Sequence, residues 1–125
     1  MKSRGFTLIE LLIVVVIIGL LAVIAIPKLS TTKQKAYVAQ MKSDLKNLAT
    51  AEEAFFYDSA FYTSSLPALN NFRSSTGVTL TIPEATPMGW SAKAVHSQTP
   101  RLCALFQGNA APVNPATVEG RITCT

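Results

Sequence analysis

Charge is scarce in this sequence. Only 14% of its 125 residues are Asp, Glu, Lys or Arg, against about 25% in an ordinary soluble domain. With 49% hydrophobic residues, intrinsic disorder is excluded, and a plain cytosolic globule fits poorly. Catalytic and ligating side chains are scarcer still. His96 is the single histidine, and Cys103 and Cys124 are the two cysteines. C-x-x-C spacing is absent, which excludes a thioredoxin-type redox pair and a zinc half-site. A metal centre needs more convergent ligands than the chain offers. No Ser, His and acid constellation can be drawn, and no phosphate loop or dinucleotide fingerprint occurs. The sequence therefore predicts no enzyme activity and no cofactor. His96, on one predicted strand face with Trp90, is expected to be packed or hydrogen-bonded and not catalytic.

What is present in excess is apolar, and it is concentrated. From residue 11 to residue 26 no side chain is polar, and Phe6, Leu8 and Ile9 extend the run backward past Thr7 and Glu10. A helix over residues 6–26 is about 31 Å long, enough to cross a bilayer core. The remainder has an ordinary composition, and 125 residues suit one domain. The chain thus reads as a small soluble domain attached to one apolar N-terminal segment.

The formal charge of +4 gathers at the ends of that segment. Lys2 and Arg4 precede it; Lys28, Lys33, Lys35, Lys42 and Lys46 follow it. Beyond Glu52 the chain is near neutral, so the charge pattern does not support a nucleic-acid face there. The lysines read as a solvated helix face, the alternative being contact with DNA or anionic lipid. The positive-inside rule alone would leave the distal domain in the cytoplasm. The cysteine pair argues the reverse, because an even count in an exported domain reads as one disulfide. Two free buried thiols are the alternative. A Cys103–Cys124 bridge would contribute about 3 kcal/mol in the chain-entropy model and would tie down the C-terminus.

A cleaved secretory signal explains the apolar run poorly. The only small-residue site, Val23-Ile24-Ala25, is crowded by Pro27. Glu10 also has no place in an ordinary signal, since an acid at the membrane centre costs about 2.5–3.5 kcal/mol. The ordered features are a short basic leader ending in Gly5, then Phe6, Thr7, Leu8, Ile9 and Glu10, then an unbroken apolar run holding Gly19 and ending at Pro27. This pattern resembles the class III signal of type IV prepilins and related pseudopilins. The resemblance implies cleavage between Gly5 and Phe6 by a prepilin peptidase, with N-methylation of Phe6. Gly5 leaves the scissile bond unobstructed. A cut before the apolar run keeps the hydrophobic helix on the mature protein. Glu10 would then pair with the new N-terminal amine of a neighbouring subunit and set axial register during assembly, a pair made selective by a low-dielectric site. Gly19 and Pro27 bound a stretch that the resemblance implies can unwind in a filament; a static kink at Pro27, which lacks an N–H for the Val23 carbonyl, is the alternative.

No glycine or proline interrupts residues 28–58. Val38, Met41, Leu45, Leu48 and Phe55 form one apolar stripe at helical spacing. A helix is therefore expected from Phe6 to about Asp58, with Asp44, Glu52, Glu53 and Asp58 on its solvated side. Phe55, Phe56, Tyr57, Phe61 and Tyr62 are expected to close the helix end, the alternative being an aromatic stack between subunits. A short helix is expected after Ser65 through Phe72. Strands are expected over residues 77–82, stopping at Pro83, over 89–97, over 102–107 with Cys103, and over 118–123.

The expected fold is α+β, a long N-terminal helix packed on a small antiparallel β-sheet, as in pilins. The expected organisation is a cleaved leader over 1–5, a transmembrane and polymerisation helix over 6–27, and a globular domain over 28–125. That domain divides into an amphipathic helix over 28–58 and a loop and sheet over 59–125. The resemblance implies a structural subunit of a type IV pilus serving adhesion, twitching motility or DNA uptake. It would be held in the inner membrane by a single pass before assembly into an extracellular filament. Implied partners are further copies of the chain, the prepilin peptidase, and an assembly platform with its ATPase. Two alternatives are a pseudopilin of a type II secretion system and a membrane-tethered binding module that does not polymerise. The cysteine pair and the lack of an acidic calcium-type loop favour the pilin. Gly5 and Glu10 disfavour a mere tether, which needs neither.

Overall fold

The computed structural model describes residues 1–125 and divides into two compact units, Met1–Lys33 and Gln34–Thr125. One α-helix, α1 (Leu8–Ser59), contributes to both.

In the first unit α1 begins at Leu8 and presents apolar side chains all round. Its hydrophobic residues from Leu8 to Leu29 are exposed throughout, Ala22 being the only partly covered position. The most apolar 18-residue window has a mean hydropathy of 3.3, and the helix is long and apolar enough to cross a membrane. Helical structure continues through Pro27 without a break. Just beyond it, Thr31 donates its hydroxyl to the carbonyls of Pro27 (3.3 Å) and Lys28 (2.9 Å), and Thr32 to that of Lys28 (2.9 Å).

The second unit holds the end of α1, a single 3-10 turn at Leu66–Ala68, and four strands: β1 (Val78–Thr86), β2 (Gly89–His96), β3 (Thr99–Gly108) and β4 (Thr123–Cys124). The strands form one antiparallel meander in the order β1-β2-β3-β4. The expected α+β architecture is therefore the observed one.

The core follows from two periodicities. Met41, Leu45 and Leu48 lie three and four residues apart, so they share one face of α1, and each is fully buried. They meet the alternate residues Val78, Leu80 and Ile82 of β1, Trp90, Ala92 and Ala94 of β2, and Cys103 and Leu105 of β3. Burying each large helix side chain contributes about 1.5–3 kcal/mol. The opposite sheet face is covered by the chain's own C-terminal loop, where Ala104 and Phe106 pack with Ala110 and Ala116.

Three local expectations are corrected. β1 does not stop at Pro83 but runs to Thr86, because the ladder shifts register between Thr81 and Glu84 and Pro83 falls inside that irregularity on an edge strand. The expected 118–123 strand shrinks to Thr123–Cys124. Ahead of it the chain turns, with Gly120 at φ 72°, Arg121 N–H donating to Val118 O (3.2 Å) and Gly120 N–H to Phe106 O (2.9 Å). The helix expected after Ser65 is one 3-10 turn, and the Ser65 side chain makes no capping bond.

The aromatic cluster does fold around the helix end. Phe55 meets Phe61 edge to face with ring centres 5.5 Å apart, and Phe56 stacks on Tyr62 at 4.8 Å. Tyr57 remains in solvent.

Candidate functional site

The residues singled out by the sequence fall at separate places. Gly5 and Phe6 lie in the non-helical segment before α1, exposed to solvent, and a Cβ at Gly5 would meet nothing within 4 Å. Thr7 is the residue immediately before α1, and Glu10 is its third helical residue. Their side chains cross-bond. Glu10 Oε2 accepts from both the backbone N–H and the hydroxyl of Thr7, each at 2.8 Å, and Thr7 Oγ1 accepts from Glu10 N–H at 3.3 Å. This is a capping box, which satisfies backbone donors that a helix start leaves without partners. The sequence carries the signal plainly as Thr7-x-x-Glu10 ahead of an apolar run, but reading Glu10 only as an intersubunit charge overlooks it. Both Thr7 bonds use one carboxylate oxygen, so Oε1 stays free within the chain. Gly19 and Pro27 lie within the exposed apolar stretch, with open space around Gly19.

Cys103 and Cys124 are disulfide-bonded and directly paired in the β3–β4 ladder. Cys103 is fully buried. The bridge anchors a C-terminal strand of only two residues. Thr125 extends that hold, its N–H donating to Leu102 O (3.0 Å) and its carbonyl accepting from Arg101 Nη1 (2.9 Å).

His96 is buried and stacks on Tyr37 with ring centres 4.3 Å apart, while its Nδ1 accepts from Gln98 N–H at 3.0 Å. Gly77, at φ 85°, packs so closely on the imidazole that a Cβ there would lie 2.9 Å from Nε2. This is a packed and hydrogen-bonded histidine. No group of three or more His, Cys, Asp or Glu side chains converges anywhere.

Two helix carboxylates are not on the solvated side. Asp44 is buried and accepts from Ser75 through both its N–H (2.7 Å) and its hydroxyl (2.8 Å), pinning the chain ahead of β1 to α1. Glu52 is fully buried; Oε2 accepts from Thr63 N–H at 3.1 Å, and Oε1 has no partner. Burial pushes the Glu52 carboxyl above its usual range, and the neighbouring Glu53 adds to the rise, outweighing the Thr63 bond. A raised native pKa means that Glu52 contributes most below its unfolded pKa of about 4.3 and that this contribution is lost as pH rises through the native value. We expect Glu52→Gln, which keeps an acceptor for Thr63, to flatten that part of the wild-type decline in stability as pH rises from about 4.3. Thermal unfolding of both chains in detergent over that pH window checks it; parallel pH profiles would refute it.

Residues 1–26 match the prokaryotic N-terminal methylation motif. The chain is 48% identical over 61 residues to the type IV major pilin protein PilA of Myxococcus xanthus, covering 49% of this chain and 28% of that protein. It is 38% identical over 68 residues to the type II secretion system core protein G of Pseudomonas aeruginosa, covering 54% of this chain and 48% of that one. The chain thus spans less than half the length of these two relatives. The match to the type IV wide pilus major component PilA4 of Thermus thermophilus is broader. It runs at 34% identity over 99 residues, covering 77% of this chain and 76% of the relative, and so reaches well beyond the shared N-terminal segment. With the methylation motif, the long apolar helix start and the four-stranded sheet in agreement, the chain belongs to the type IV pilin family.

Proposed function

We propose that this chain is a structural subunit of a type IV pilus. In this reading residues 1–5 are a leader removed by the prepilin peptidase, and Phe6 becomes the methylated N-terminus. Residues 6–27 hold the subunit in the inner membrane by a single pass and later line the filament core. Residues 28–125 form the outer globular domain. The observation that carries the reading is the first unit of the fold, an apolar helix with its hydrophobic side chains uncovered on every side. Such a surface needs lipid or other helices like itself. Transfer from lipid into a bundle of identical helices keeps it buried throughout, which a simple tether does not require.

The position of Glu10 supports the same reading. Removal of Lys2 and Arg4 with the leader leaves nine basic against seven acidic side chains, a formal +2. It also creates an amine at Phe6, and an unpaired amine among apolar helices is costly. The free Glu10 Oε1 can take a neighbour's amine while Oε2 keeps its bonds to Thr7, so capping and register come from one carboxylate. Gly19 and Pro27 remain the points where the helix would unwind on packing. The assembly platform and ATPase, and an output in adhesion, motility or DNA uptake, belong to this proposal. The subunit's own role is assembly and not catalysis.

Mass spectrometry of sheared surface filaments tests it. The expected subunit begins at N-methylated Phe6. Gly5→Val crowds the scissile bond, so that chain should retain its leader and stay in the membrane fraction. Normal maturation of Gly5→Val would overturn the cleavage site. A pseudopilin role is the second reading, favoured by the likeness to core protein G. It predicts no long filaments outside the cell at native expression.

A further inference from the structure

The flanks of α1 in the second unit carry opposite and unmatched charge. On one flank, Lys42 and Lys46 rim a groove of about 480 Å³, joined by Arg121 from the C-terminal turn, over an apolar floor that includes Leu105 and Ile122. No acidic residue lines this groove. Lys42 and Lys46 are one helical turn apart, a mutually repulsive spacing. The residues three and four positions either side of them include no acid. The backbone that carries Arg121 is held by its turn, through Arg121 N–H to Val118 O (3.2 Å), Gly120 N–H to Phe106 O (2.9 Å), and Glu119 Oε1 accepting from Gly108 N–H (2.8 Å). Three cations from two elements therefore converge with no counter-charge of their own.

The counter-charge is present elsewhere on the chain. Of its seven acidic side chains, six accept hydrogen bonds within the molecule: Glu10, Asp44, Glu52, Glu53, Glu84 and Glu119. Asp58 accepts none and is exposed in the last turn of α1. It lies 12 and 16 residues beyond Lys46 and Lys42. At 3.6 residues per turn and 1.5 Å rise, that places it about 120–160° round the helix and about 18–24 Å along it. Asp58 thus cannot reach the groove of its own chain.

We propose that the groove of Lys42, Lys46 and Arg121 receives the Asp58 end of α1 from a second copy of this chain. The proposal rests on the filament reading above and names the contact between globular domains. Socket and plug lie on different flanks and at different heights, so the contact is head-to-tail. A contact of that kind leaves a free socket at one end and a free plug at the other and propagates without closing. Copies joined by it are offset by about 18–24 Å along the direction of α1.

Zero-length carbodiimide cross-linking of sheared wild-type filaments tests the contact, followed by peptide mass spectrometry. The expected product is an amide between Asp58 and Lys42 or Lys46. It can arise only between copies, because the intrachain separation is too great. Asp58→Lys should lower filament yield by about tenfold or more, as should the Lys42→Glu, Lys46→Glu double variant, and combining all three should restore it. Abundant wild-type filaments with no Asp58 cross-link, or reversals that leave filament yield unchanged, would overturn this contact and leave the filament reading standing. Absence of filaments and pseudopilus-like assemblies from the wild type would overturn both. A Lys42→Glu, Lys46→Glu chain that assembles normally but is no longer retained on a heparin column would assign the groove to an outside polyanion and also overturn the proposal.

Discussion

Glu10→Ala is expected to leave the Gln34–Thr125 unit folded and to reduce surface filaments by about 100-fold or more. Breaking a buried ion pair by removing one partner costs about 3–5 kcal/mol, because the other charge stays buried and uncompensated. Each 1.4 kcal/mol is a factor of ten in an equilibrium, and the penalty recurs at every subunit added. Two effects are combined in that variant, since the same carboxylate also caps α1 through Thr7. Glu10→Gln separates them. It keeps an acceptor for the Thr7 N–H and removes the charge. If charge sets register, Glu10→Gln assembles as poorly as Glu10→Ala. Thr7→Val, which loses the hydroxyl and keeps the carboxylate, should assemble far better than either. Counting filaments by electron microscopy, with membrane-bound subunit as the expression control, decides the matter. Wild-type filament numbers from Glu10→Ala would end the register role.

The second large effect is expected at the disulfide. Cys103→Ser should lower the stability of the Gln34–Thr125 unit by about 3 kcal/mol, the loop-closure contribution for a span of this size. For a domain of this length that is a fall in Tm of roughly 12–24 °C. The effect should be largest for Cys103, which is fully buried between α1 and the sheet. Serine there places a hydroxyl among Met41, Leu45 and Leu48. Cys124→Ser loses the bridge but little packing, because Cys124 is only partly covered. Thermal unfolding with and without reductant separates the two contributions. Reductant should destabilise the wild type and leave both variants unmoved. An unchanged Tm in Cys103→Ser would show that the bridge adds nothing.

Much of the molecule was legible from its residues, and the part that was not has a common cause. The apolar run, the stripe from Val38 to Phe55 and the lack of glycine or proline over residues 28–58 specify most of α1, because each is a local property of one continuous segment. The alternation from Gly89 onward placed Trp90, Ala92, Ala94 and His96 on one face, and all four are buried. The misplaced residues depend on partners distant in sequence. Nothing near Asp44 announces Ser75, 31 residues later, whose N–H and hydroxyl draw the carboxylate inward. Nothing near Glu52 announces the Thr63 N–H. β1 outran Pro83 for a similar reason, since whether a proline ends a strand depends on which edge faces a neighbour. The capping box is the opposite case, a local signal hidden by a more conspicuous role for the same carboxylate.

Pro83 carries one more consequence. A nine-residue strand at the edge of a sheet risks joining other copies strand to strand. Such a zipper would compete with ordered assembly and would be hard to reverse. Pro83 has no N–H to offer, and the register shift around it spoils the even spacing that an incoming strand must match. The far side of the sheet is guarded differently, by a strand of two residues that the disulfide holds down. With both borders blunted, association between subunits is left to their helices and surface charges.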